Sequence, residues 1–176
     1  MNSEKAQNLR KLVLTALFMA LACVATMVIH IPSPMEGGYL NLGDCIVLLA
    51  GWVLGPWWGM AAGGIGSGLA DIFLGSAAWA PGTLVIKALM GMTAGLIARH
   101  AGLVRRILSG VAAEVIMVLG YFAYSGLVMG YGLAASAEIP GNLIQGGVGL
   151  VVAVLLFVLL DKTGTFKHLK KAGIDV

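Results

Sequence analysis

Charge is what this 176-residue chain has least of: 11% of its residues are Asp, Glu, Lys or Arg, against 59% that are apolar. A water-soluble domain carries roughly 25% charged residues. With a mean hydropathy of +0.95, the chain has too little polar surface to face water on every side, which excludes a soluble globular domain. A G-x-x-x-x-G-K-[ST] phosphate loop is also missing, so ATP-driven uphill transport would need another subunit to hydrolyse the nucleotide. No H-E-x-x-H or comparable metal-ligand spacing occurs, nor a nucleophile-plus-base pattern. That counts against a membrane enzyme using Asp71, Glu114 or His30 as acid or base. Cysteine is limited to Cys23 and Cys45, which lack ligand spacing and read as small buried hydrophobes. No metal and no cofactor is expected.

What the chain has instead is a series of apolar runs. A membrane-spanning helix needs about 20 apolar residues, and six such runs fit: Leu12–Ile31, Leu42–Trp58, Gly59–Ala78, Thr83–Ala98, Ile107–Val128 and Pro140–Leu160. The first is longer than the roughly 7–15-residue core of a signal peptide and reads as a mature helix. The breaks are chemical. His30-Ile-Pro-Ser-Pro-Met-Glu36-Gly-Gly ends the first run, and Gly55-Pro56-Trp57-Trp58-Gly59 ends the second. Pro140 suits the first turn of a helix, where its missing N–H costs nothing. The expectation is an all-α polytopic protein, one six-helix domain over 1–176, with a polar segment 1–11 and a basic tail 161–176.

The cations fix an orientation for this topology. Lys5, Arg10, Lys11, Arg99, Arg105, Arg106, Lys162, Lys167, Lys170 and Lys171 all fall on one side of a six-span chain. The three opposite loops contain no Lys or Arg. By the positive-inside rule both termini are cytoplasmic. This placement also explains the pI near 9.0 without invoking nucleic acid.

Polar groups inside the runs are the candidate site, because an ionisable side chain at membrane depth is costly and faces the protein interior. Asp71 and Lys87 fall at similar depth on consecutive helices, either as a structural ion pair or as ligand contacts. Glu114 has no evident partner on its own helix, and Tyr121 and Ser125 share its face. Asn142 and Gln145 lie three residues apart on one face of the last helix; their amides suit either a polar heterocycle or interhelical hydrogen bonds. Asn41 and Asp44 flank the start of the second helix, where Asp44 could equally act as an N-terminal charge. Tyr39 and Trp79 could stack on a ring or sit in the aromatic belt. Glycines at four-residue steps (Gly51, Gly55, Gly59, Gly63), with Gly64/Gly68, Gly91/Gly95 and Gly126/Gly130, read as helix-packing faces. Ala16 and Ala20 form a small-residue pair on the first helix, either lipid-facing or a docking surface.

These residues carry a family resemblance. GGYLNLGDCIVLLAGWVLGPWWGMAAGGIGSGLADIFLGSAAWAPGTLVIKALMG closely resembles the substrate-binding S component of energy-coupling-factor (ECF) vitamin transporters. It is most similar to the branch assigned to riboflavin, hydroxymethylpyrimidine and pyridoxine-type substrates. Tyr-x-Asn-Leu-Gly-Asp, the Leu-Ala-Asp of the third run and Ala-Pro-x-Thr-x-x-x-Lys carry it, and weaker likeness continues to Gln145. The resemblance implies a prokaryotic plasma-membrane protein with a vitamin pocket near the outer face, closed by the first loop. It implies a transmembrane T component and two cytoplasmic ATPases as partners, with delivery by toppling in the bilayer. The expected ligand contacts are Tyr39, Asn41, Asp44, Trp79, Lys87, Glu114, Tyr121, Asn142 and Gln145. Ala16 and Ala20 match the T-component contact, while Val24 departs from the family's longer alanine series. The competing expectation is a stand-alone ion-coupled carrier, for which no internal repeat or broken-helix pair is evident.

Overall fold

The computed structural model describes residues 3–98, 102–171 and 173, so Arg99 of the expected basic connector lies outside the described residues. Helix α1 runs over Ser3–Val28 and stops before a short hairpin of β1 (His30–Pro32) and β2 (Tyr39–Asn41). The strands are antiparallel, with His30 opposite Asn41 and Pro32 opposite Tyr39. Between them Gly37 takes φ +70°, a left-handed conformation that only glycine adopts without strain. The sequence predicts a loop here; the hairpin is an addition to the all-α expectation.

Helix α2 (Gly43–Leu54) is only 12 residues long, about 18 Å at 1.5 Å per residue. That is shorter than the roughly 30 Å hydrocarbon layer. It is buried along almost its whole length, between α1, the following helix α3 (Pro56–Phe73), α4 (Ala80–Ala98) and α6 (Ile139–Lys162). A helix that is apolar all round belongs inside a core, and α2 is that core. Gly55, at φ +83°, turns the chain directly into α3, with Pro56 in the first turn. The expected span to Trp58 is therefore cut short, and Trp57 and Trp58 belong to α3.

Helix α5 (Leu103–Ala123) continues into a π-helical turn, Tyr124–Val128, followed by a 3₁₀ segment, Gly132–Glu138. Pro140 sits in the first turn of α6, as expected. The described part of the basic tail contains α7 (Thr165–Lys171), pinned by Phe166, which stacks on Phe157 at 4.7 Å.

Among the described residues, four helical stretches are long and apolar enough to cross a membrane: Lys5–Val28, Ala80–Ala98, Leu103–Val128 and Gly132–Lys162. Their outward faces carry exposed large apolar side chains such as Leu17, Val85, Leu119 and Leu155. Most of the glycine faces do pack. A Cβ on Gly51 would meet the Gly91 carbonyl oxygen at 2.5 Å, and one on Gly63 would meet the Lys87 carbonyl at 2.8 Å. Two expectations fail. A Cβ on Gly55 or Gly130 would meet nothing within 4 Å, and both residues serve turns with positive φ, not helix packing.

Candidate functional site

The hairpin lies over one end of the bundle. Ser76 Oγ donates to the Gly37 carbonyl at 2.7 Å, and Trp79 Nε1 donates to the Glu36 carbonyl at 3.1 Å. Ser33 Oγ donates to Glu138 Oε1 at 3.3 Å, which ties the loop to the start of α6. Beneath it lies a cavity with about 450 Å³ of empty space, including its open mouth. The space enclosed within it is only about 30 Å³, far below the usual 300–1,000 Å³ of small-molecule sites, so in this conformation the lining side chains are closed in on one another.

Of the nine expected contacts, Tyr39, Asn41, Trp79, Lys87, Tyr121, Asn142 and Gln145 line this cavity. They come from β2, the turn residue just before α4, α4 itself, α5 and α6, so residues over a hundred positions apart meet in one place. Trp79 and Tyr121 supply an aromatic wall, with ring centroids 6.4 Å apart. The Thr83 and Tyr121 hydroxyls share a hydrogen bond of 3.0 Å.

Asp44 stands behind this lining and ties it together. Lys87 Nζ donates to Asp44 Oδ1 in an ion pair that is essentially fully buried, at 1% and 0% exposure. Gln145 Nε2 donates to Asp44 Oδ2 at 2.7 Å, while Gln145 Oε1 accepts from the Asn41 backbone N–H at 2.8 Å. Asp44 also stands in the first turn of α2, where an N-terminal charge would, and just ahead of it Asn41 Oδ1 accepts the Gly43 N–H at 2.8 Å. Two expectations are corrected here. The partner of Lys87 is Asp44 and not Asp71, because α2 enters the bundle interior and brings its first turn against α4. Asp71 instead accepts from the Tyr39 hydroxyl and lines the cavity itself. Burial and this carboxylate push the Tyr39 phenol well above its ordinary range, so it stays protonated and donates.

Glu114 does not line the cavity. It is buried against α6, where a Cβ on Gly146 would meet its Oε2 at 2.8 Å, and neither of its oxygens has a hydrogen-bond partner among the described residues. It faces a separate apolar groove between α5 and α6. Sequence reasoning missed Thr26, Ser33, Gly38, Ser67, Thr83 and Glu138, which also line the cavity. Of these, only Thr83 carried a signal, through its place in Ala-Pro-x-Thr-x-x-x-Lys.

Trp79→Phe keeps a ring on the wall but removes the donor to Glu36. The hairpin should then open more often, by roughly 3- to 10-fold for one lost hydrogen bond. Faster amide deuterium exchange over residues 33–39, with α4 unchanged, is the expected readout.

Comparison with known proteins agrees with this architecture. The profile of the ECF-type riboflavin transporter S component matches residues 6–162. The chain belongs to that family. An S component is a transporter subunit embedded in the membrane, so the protein is not an enzyme. A relative from Lactococcus lactis subsp. cremoris, described as "Thiamine precursor transporter HmpT", is 31% identical over 167 residues, 94% of this chain and 96% of its own. A Pyrococcus woesei protein described as "Uncharacterized protein in gap 3'region" is 39% identical over 140 residues, 79% of this chain and 93% of its own. A solved chain described as "Structure and mechanism of the S component of a bacterial ECF transporter" shares the fold, with a TM-score of 0.72 and 23% identity. The match covers 89% of this S component and 98% of that chain.

Proposed function

We infer that this S component captures a water-soluble vitamin or vitamin precursor of the hydroxymethylpyrimidine, pyridoxine or riboflavin class. The ligand is held near the outer face, under the hairpin. The observation that supports this reading most is the meeting of Asn41, Lys87 and Asn142 in one cavity, with aromatic rings on its wall. Six spans with both termini cytoplasmic fit the charge distribution. On that reading the chain uses no cofactor of its own: a T component and two ATPases supply the energy, and the loaded subunit topples to deliver its cargo. The L. lactis relative's description as a thiamine precursor transporter favours a precursor ligand.

The test is direct. The purified protein should retain a small ring compound identifiable by mass spectrometry, and should bind one of these three classes in titrations. Binding of none of them overturns the capture role. Ala16 and Ala20 are both exposed on α1. Ala16→Trp should therefore leave ligand binding unchanged while cutting uptake in cells that also express the T component and ATPases. Undiminished uptake would remove this face from the partner contact.

A further inference from the structure

One end of the bundle carries charge that the cavity does not use. Helix α2 stops at Leu54, and α7 packs against that end. Phe166 is buried there against Val53 and Leu54, and Leu169 joins the same cluster with Leu14 and Phe18 of α1. At 7 residues, α7 is too short to hold its helix alone, so this apolar contact keeps it formed. Phe166 and Leu169 lie one turn apart on the inward face. Lys167, Lys170 and Lys171 share the opposite face and are exposed.

The start of α1 lies beside this helix: a Cβ on Gly173, just past α7, would meet Gln7 Nε2 at 2.7 Å. That segment adds Lys5, and the last turn of α6 adds Lys162, both exposed. None of these lysines forms an ion pair among the described residues. Acids are scarce here: the described parts of these three segments hold Glu4 and Asp161. The cations also stand where an apolar surface begins. On α1, Leu9, Leu12 and Val13 are 52–60% exposed and follow closely on Lys5. A lysine at such a border lays its methylenes along apolar surface and keeps its ammonium outside. As a point charge on a flexible stem, it pairs with phosphate without a fixed geometry.

We propose that α7 and the start of α1 form a binding surface for anionic phospholipid headgroups, which holds this end of the S component at the bilayer surface. The apolar border argues for a lipid as the source of the anion, since a soluble anion needs none. Lysines on the polar face of a short amphipathic helix are the usual form of such a surface. Here Phe166 and Leu169 are taken up by the protein, so α7 offers the membrane charge and not apolar area. These lysines share no position with the cavity lining, so the surface stands whatever the cargo.

The probe is a bilayer of equal parts phosphatidylcholine and phosphatidylglycerol. Full-length protein solubilised from it should retain phosphatidylglycerol over phosphatidylcholine by about 10-fold or more, counted by mass spectrometry, since each surface lysine favours an anionic lipid by about 5-fold. Lys167→Gln, Lys170→Gln and Lys171→Gln combined should cut that preference by about 10-fold and leave the melting temperature in phosphatidylcholine unchanged. Sodium chloride raised from about 0.1 M to 1 M should erase most of the preference, because the screening length falls from about 10 Å to 3 Å. Equal retention of the two lipids by the unaltered protein overturns the proposal, as does a preference that salt leaves intact. A preference that the folded triple variant keeps also overturns it, and a loss of uptake alongside would give the lysines to a protein partner. Inorganic phosphate should release no more phosphatidylglycerol than sodium chloride of equal ionic strength; greater release makes this a site for a free anion and overturns the lipid assignment. If the triple variant does not fold, the retention ratio and its salt dependence on the unaltered protein still decide.

Discussion

Lys87→Met should produce one of the two largest losses of stability available in this protein, and Asp44→Asn added to it should restore much of what was lost. Lys87 and Asp44 form a buried ion pair at the centre of the bundle, where water cannot screen either charge. Removing one member of such a pair leaves an uncompensated charge and costs about 3–5 kcal/mol. For a chain of this length that corresponds to a fall of more than about 6 °C in the apparent melting temperature. Replacing the pair with neutral groups of similar size is often nearly neutral. The amide oxygen that Asp44→Asn leaves in place could still accept from Gln145 Nε2, so that bond need not be lost. The expected thermal melts in detergent therefore show a single variant far below the parent and a double variant well above the single. If the double variant melts as low as the two single losses added together, the charges do not act as a pair. Ligand titration on the double variant then separates roles: a stable protein that no longer binds identifies a direct contribution to the cavity.

Depth along a helix follows from its rise, so Asp71 and Lys87 could be set at the same level, and both do line one cavity. Which way a helix faces, and how far inward it starts, depends on neighbours that a single sequence does not reveal. The hairpin delivers Asn41 and Gly43 into the bundle and not to its rim, so Asp44 begins a buried helix and reaches Lys87. The same blindness hid Glu138, which closes a Gly/Ala/Ser-rich stretch that reads as an outer loop but is folded back as a 3₁₀ turn against the loop residue Ser33. Thr26 and Ser67 look like ordinary packing residues in apolar helices, and nothing in the spacing separates them from such. By contrast, Tyr39, Asn41, Trp79, Lys87, Tyr121, Asn142 and Gln145 stood out because aromatic, charged or amide side chains beside lipid-length runs need a reason to be there. Glu114 met that criterion too. It is buried, yet it faces the groove between α5 and α6 and not the cavity, showing that the rule finds cost and not location.

Gly91→Leu should yield no folded protein, and Gly91→Ala should already melt well below the parent, because three helices meet at this point backbone to backbone. A Cβ on Gly91 would press into the Gly59 carbonyl oxygen and lie 2.7 Å from its carbon. One on Gly59 would lie 2.6 Å from the Gly51 Cα, and one on Gly51 would lie 2.5 Å from the Gly91 oxygen. The neighbour at each position is main chain, which has no rotamer to turn aside, so even a methyl must push α2, α3 and α4 apart. Overpacking of this kind costs about 1–3 kcal/mol for small insertions and more where nothing can yield. Loss of close contact also removes the dispersion that holds helices together in lipid, where no hydrophobic force acts between them. Gly147→Ala is the control, since Gly147 lies within α6 with nothing in reach of an added Cβ. That change should leave the melting temperature unchanged or slightly higher, as alanine favours a helix by roughly 1 kcal/mol over glycine. Melting of Gly91→Ala within about 2 °C of the parent would mean the contact yields, since that shift corresponds to less than about 1 kcal/mol. The four-residue glycine steps of the sequence would then mark helix faces without setting how closely they approach.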